Sequence, residues 1–255
     1  MYQSVASLTS RKPWHRTLPA SHYVLLSLLF FVGLELISAF HQWIVVPSIV
    51  LIALTFYGIV LVRIEERGQF RALQTILPTL AATGLAGFAL FIPRSSFFHL
   101  YCAVAAILLY VLLKHGAKQA YPTWNWALST VVYFLNIAVI LGLRYHIFSP
   151  VILTISLVFV VSFLISMQAL RRATSAALPS VLLALSVALA LTQLAWVLQF
   201  LPTHYMIQSG ILVVAYYSIF HLLSISFERQ LRRRDFAEYA VVGLTALLLL
   251  LVSAR

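Results

Sequence analysis

A single acidic residue interrupts the long apolar runs of this sequence: Glu35, inside His22-Tyr-Val-Leu-Leu-Ser-Leu-Leu-Phe-Phe-Val-Gly-Leu-Glu-Leu-Ile-Ser-Ala-Phe40. Removing a lone carboxylate from water costs several kcal/mol unless it is protonated or paired. Glu35 is therefore a candidate proton or cation site, or a hydrogen-bonding contact to a substrate. The competing reading is a carboxyl that binds a neighbouring helix. Asn136, Gln193 and Gln199 place amides in later apolar runs, where such groups often serve as interhelical hydrogen bonds worth about 0.6–2 kcal/mol. Glu35, Asn136 and Gln193 form the candidate substrate-binding set, a modest polar pocket if their helices converge. Arg232, Arg233 and Arg234, within Phe227-Glu-Arg-Gln-Leu-Arg-Arg-Arg-Asp-Phe-Ala-Glu238, are candidates for holding lipid phosphates; the alternative is a charge cluster that only fixes topology.

Other chemistry is sparse. His41, His99, His146 and His204 fall one to each connection or helix start on one side, and His15, His22, His115 and His221 fall on the other. There is no His-x-x-x-His pair and no nearby thiolate, so no metal site is expected. The single Cys102 allows neither an intrachain disulfide nor a thiolate cluster. No Gly-x-Ser-x-Gly, His-Glu-x-x-His, phosphate loop, paired intramembrane aspartates or mid-span lysine is present. No catalytic residue and no cofactor are assigned.

The elements that carry these residues follow from composition. The chain is 62% hydrophobic and 9% charged, with mean hydropathy +0.99, against about 25% charged in soluble domains. Each apolar crossing takes about 20 residues, and the runs are continuous instead of alternating, which excludes a β-barrel. The reading is an all-α, polytopic transmembrane bundle of nine spans: 22–40, 43–62, 73–92, 97–113, 124–143, 150–170, 176–200, 206–227 and 238–253. Residues 1–21 form a cytoplasmic tail without the apolar stretch of a signal peptide, and 22–255 form one transmembrane domain. Of 17 Lys and Arg, 14 fall in the tail and the connections after spans 2, 4, 6 and 8, and three on the opposite side. The positive-inside rule then places the N-terminus in the cytoplasm and the C-terminus outside, in a multi-pass protein of the inner (cytoplasmic) membrane. The +11 net charge belongs to cytoplasmic loops facing anionic lipid, so nucleic acid is not an expected partner.

Prolines pair at similar offsets: Pro19 with Pro122, Pro47 with Pro150, Pro78 with Pro179 and Pro93 with Pro202. Thr79, Thr83 and Gly87 match Ser180, Ala184 and Ala188, each set following a Leu-Pro and lying along one helix face. These matches suggest parallel repeat halves, 19–116 and 122–228, with the last helix 238–253 appended. Evenly spaced prolines at helix starts would arise without ancestry as well.

From Phe200-Leu-Pro through Tyr216-Tyr217, His221 and Arg232 to Glu238-Tyr239, the C-terminal third resembles an uncharacterised family of polytopic membrane proteins of candidate-phylum bacteria. That resemblance implies a membrane fold and no activity. The function expected from the residues is binding or transport of a small apolar or lipid-like solute between the two halves. The alternatives are a structural or assembly subunit of a membrane complex and an interfacial lipid-modifying enzyme, the last requiring Glu65, Glu66 or Asp235. Expected partners are membrane lipids, the small ligand, and a membrane protein or a second copy of the chain.

Overall fold

A computed structural model describes residues 19–39, 45–67, 72–93, 95–117, 122–147, 150–173, 177–228, 237, 241–246 and 248. Among them the chain is helical and contains no strand: α1 Pro19–Ala39, α2 Val45–Arg67, α3 Ala72–Ala89, α4 Ser96–Ala117, α5 Pro122–Ile147, α6 Val151–Ala173, α7 Ala177–Leu198 and α8 Tyr205–Glu228. Residues 241–246 and 248 of the last apolar run are helical too, and Gly243 lies beside Ser218 and Val214 of α8.

The helices are apolar around most of their circumference, as expected where lipid replaces water on the outer face. Three prolines stand at helix starts, where a missing N–H does least harm. Pro19 and Pro122 open α1 and α5, and Pro150 precedes α6. Pro78 lies inside α3. Five helices hold stretches long and apolar enough to cross a bilayer: Ser96–Lys114, Trp126–Ile147, Val151–Arg171, Pro179–Leu198 and Tyr205–Leu223. Shorter apolar stretches occupy α1, α2 and α3, at His22–Ile37, Val46–Leu61 and Thr75–Ala89.

Two helix ends differ from the sequence reading. α2 continues through Arg63-Ile-Glu-Glu-Arg67, a segment expected to be a connection. α5 runs on past residue 143 to Ile147, so Arg144 and His146 lie in its last turn. Nothing between 143 and 149 breaks a helix, and the stop comes where Pro150 disfavours helical geometry in the residue before it.

Packing divides the chain into two adjoining cores. α1 packs on α2 and α4, and α3 on the same two helices; α5 packs on α6 and α8, and α7 on the same two. Phe30, Leu34, Ile59, Ala86 and Leu109 sit in the first core, and Tyr133, Val158, Ala184, Leu212 and Tyr216 in the second. α3 joins the two by packing along α5 and, less extensively, α6. Small residues set that approach. A Cβ on Gly84 would lie 2.9 Å from Asn136 Nδ2, and one on Gly87 would lie 2.6 Å from a Val139 methyl. Ser180, Ala184 and Ala188 are fully buried on α7, whose most extensive neighbour is α6. The matched small-residue faces of α3 and α7 are thus buried within the chain, against α5 and α6, and not against each other.

Candidate functional site

The end of the bundle where α5 stops and α8 begins holds a pocket of about 760 Å³. Its wall consists of Leu141, Arg144 and Tyr145 of α5, the turn Gln199–Tyr205 and Gln208 of α8, with Phe200 alone in that stretch outside the lining. The turn is built by backbone hydrogen bonds that tighten the end of α7: Gln199 N–H to Trp196 O, Phe200 N–H to Val197 O and Leu201 N–H to Leu198 O. Pro202 then blocks continuation. Gln208 reaches back one turn, its Nε2 donating to Leu201 O at 3.3 Å and Thr203 O at 3.2 Å. His204 Nδ1 accepts from Met206 N–H at 3.3 Å, capping α8 and leaving the ring proton of a neutral imidazole on Nε2.

An aromatic cluster buttresses this end. His204 and Tyr205 stand 4.3 Å apart by ring centroids, Tyr145 lies 5.4 Å from His204, and Phe91 of the α3–α4 turn lies 5.4 Å from His146 and 5.8 Å from Tyr205. Gly142 makes room for it: a Cβ there would come within 2.9 Å of Phe91 and 3.2 Å of Tyr205. Phe91 thereby ties the first core to the rim of the pocket.

Three of the lining residues carry polar atoms without a protein partner. Arg144 Nη1, both amide atoms of Gln199 and Thr203 Oγ1 are buried and make no hydrogen bond. Buried polar groups in folded proteins are satisfied almost without exception, by protein, water or ligand. Four such atoms belong to three residues of this one lining, and the same condition recurs away from it at Ser166, Gln168 and Arg171. No acidic side chain lines it.

The residues expected to bind substrate go elsewhere. Glu35 receives His99 Nδ1 at 3.0 Å on each carboxylate oxygen, bridging α1 and the first turn of α4. The contact is an ion pair when His99 is protonated, and the buried Cys102 thiol hydrogen-bonds the same carboxylate. Asn136 is buried, and its Nδ2 donates to Leu80 O across the α3–α5 seam and to Val132 O in its own helix, both at 2.8 Å. Both its donors are thus engaged in packing. Gln193 is exposed on α7. None of the three lines the pocket. Arg232, Arg233, Arg234 and Asp235, and the side chains of Glu65 and Glu66, lie outside the described residues, as does His41. His146 and His204 do meet, both against Tyr205, but no group of three or more potential metal ligands forms among the described residues.

Arg144 is the charged pocket residue that sequence reasoning missed, and a signal for it existed. It is one of only three Lys or Arg on the cation-poor side of the topology, so topology does not explain it. Gln199, Thr203 and Gln208 cluster around Leu201-Pro202 in the same way, recognisable only once the turn brings them to the end of α5.

These features define a class: an all-helical membrane protein of two adjoining four-helix cores, with a polar pocket at one end of the second. The match to the family described as "Protein of unknown function (DUF5656)" runs over residues 38–253, and the chain belongs to that family. No curated protein and no solved structure matches it.

Proposed function

We propose that this protein is a multi-pass protein of the cytoplasmic membrane that binds and moves a small lipid-like solute, and that its site is the pocket between the end of α5 and the α7–α8 turn. The observation that carries this reading is the pocket itself, with its four unpartnered polar atoms beneath an aromatic rim. Its volume falls in the range of small-molecule sites, about 300–1,000 Å³. Nine spans with the N-terminus inside are supported by the loop charges and by the helical residues 241–246 beside α8; this orientation turns the pocket outward. Descent of the two halves from one module is supported by their shared order of neighbours and by Pro19 and Pro122 opening equivalent helices. The burial of both small-residue faces inside the chain weighs against an assembly subunit, which would present such a face to a partner.

The test is native mass spectrometry of gently extracted protein, comparing wild type with Thr203→Trp, which fills the pocket, and with Glu35→Ala and Gln193→Ala. A retained small molecule in wild type, absent from Thr203→Trp and kept by the other two, is the expected result. A stoichiometric protein partner and no small ligand in any variant would replace this reading with the assembly subunit.

A further inference from the structure

Charge accounting identifies what the pocket takes. The chain has six acidic residues: Glu35, Glu65, Glu66, Glu228, Asp235 and Glu238. Glu228 closes α8, whose 24 residues begin at the pocket, and at 1.5 Å per residue it lies about 35 Å from it. Asp235 and Glu238 follow it in sequence, and Glu65 and Glu66 end α2, the end away from the α3–α4 turn that touches the pocket rim. Glu35 stands at the pocket's end of the bundle but is engaged by His99 and Cys102. Arg144 lines a cavity without a carboxylate, with Nη1 wholly buried and unbonded.

A guanidinium near a helix C-terminus interacts favourably with the last carbonyls, which would account for Arg144 if its nitrogens reached them or reached water. A buried, unbonded Nη1 does neither. Arg144 as a whole is half-buried, and no carboxylate lines the cavity with it, so an anion that pairs with this guanidinium inside the pocket comes from outside the chain.

We propose that the pocket binds an oxyanion group, a phosphate or carboxylate, with the Arg144 guanidinium as its principal donor and the side chains of Gln199 and Thr203 completing the cradle. This deepens the reading given above and rests on it. The planar, always charged guanidinium suits such groups. The positive end of α8 also faces the cavity, since Tyr205 opens that helix and lines the wall. The pocket's margin is apolar: Leu201 is 43% exposed and Trp196 and Phe200 of the same turn region are 46% and 74% exposed. A charged head inside with a hydrocarbon tail running out over these residues fits that margin; a free oxyanion shares the head chemistry.

The probes are didecanoyl phosphatidic acid, didecanoylglycerol with the same tails and no phosphate, and inorganic phosphate, titrated against the full-length protein in detergent. In wild type, phosphatidic acid is expected to bind at least about tenfold more tightly than didecanoylglycerol, one charge-assisted contact being worth that factor or more. Arg144→Gln abolishes the preference, bringing phosphatidic acid down to the affinity of didecanoylglycerol; Arg144→Lys keeps part of it. Competition by inorganic phosphate at similar concentration assigns the site to a free oxyanion, and its failure to compete assigns it to a lipid head. Arg144→Gln without ligand melts close to wild type, which separates loss of the ligand contact from loss of the fold. Equal binding of the two lipids, with no effect of Arg144→Gln, overturns the oxyanion proposal while the lipid-like-solute reading stands. No lipid binding and no small molecule retained on extraction removes both.

Discussion

Gly87→Ala tests the joint between the two cores. A Cβ at residue 87 would stand 2.6 and 2.9 Å from the two methyls of Val139 and 3.3 Å from its Cβ. Carbon atoms prefer about 3.5–4.0 Å, so the excess overlap is roughly 1 Å. Val139 has little rotamer freedom in a helix, and its Cβ belongs to the rigid part of α5. The helices must therefore separate, loosening the contacts of Leu80 and Gly84 along the same seam. Overpacking of this kind costs about 1–3 kcal/mol. Val139→Ala alone loses packing and costs about 1–2 kcal/mol by comparison with other methyl deletions. It also removes the two clashing methyls, so the double variant should cost about what Val139→Ala costs alone, a coupling equal in size to the Gly87→Ala loss, about 1–3 kcal/mol. The assay is reversible unfolding in mixed micelles of sodium dodecyl sulfate and a mild detergent, followed by tryptophan fluorescence. Gly87→Ala indistinguishable from wild type, or a double variant showing the sum of the two single losses, would refute a close α3–α5 approach at residue 87.

The stacked pair Tyr133 and Tyr216, 4.4 Å apart, should respond unequally to loss of the hydroxyl. Tyr133 Oη shares a hydrogen bond with Ser162 at 3.1 Å, so Tyr133→Phe costs about 0.5–1.5 kcal/mol. Tyr216 Oη is buried without a partner, so Tyr216→Phe is neutral or stabilising in the same assay. Gly142→Val pushes Phe91 and Tyr205 apart and should weaken ligand retention by native mass spectrometry while leaving extraction yield largely intact; full retention would show that the aromatic rim does not shape the pocket. Cys102 is fully buried, so maleimide labels it slowly in native protein and rapidly after unfolding, and fast native labelling would place α1 away from α4.

The sequence made the helices legible because a bilayer demands about 20 apolar residues per crossing and tolerates no unpaired backbone. It was less informative about their rotation. A helix apolar on every side carries no stripe to show which face is inward, so Gln193 and Asn136 looked alike although one is exposed and the other holds Leu80 across a seam. Arg144 was assigned to a loop because charge was taken to end the helix, whereas α5 carries it in its last turn. The turn at Gln199–His204 was illegible for a different reason: its shape depends on Gln208 folding back over it, a contact seven residues long that no local pattern announces. Glu35 stands out in the sequence as an acid within an apolar run, and His99, 64 residues away, could be matched to it only in three dimensions.

The order of helix neighbours also bears on how the chain is made. The four helices of each core pack among themselves, and the cores meet along α3 with α5 and α6 and again where Phe91 reaches Tyr205. During synthesis the first four helices have all their mutual partners before the fifth leaves the ribosome, and they wait with Gly84 and Gly87 uncovered. The second set then assembles against a surface already formed, so biogenesis reduces to two short local events and one docking. A chain interrupted between α4 and α5 retains every contact within either core, and its two fragments, made together in one cell, should find each other.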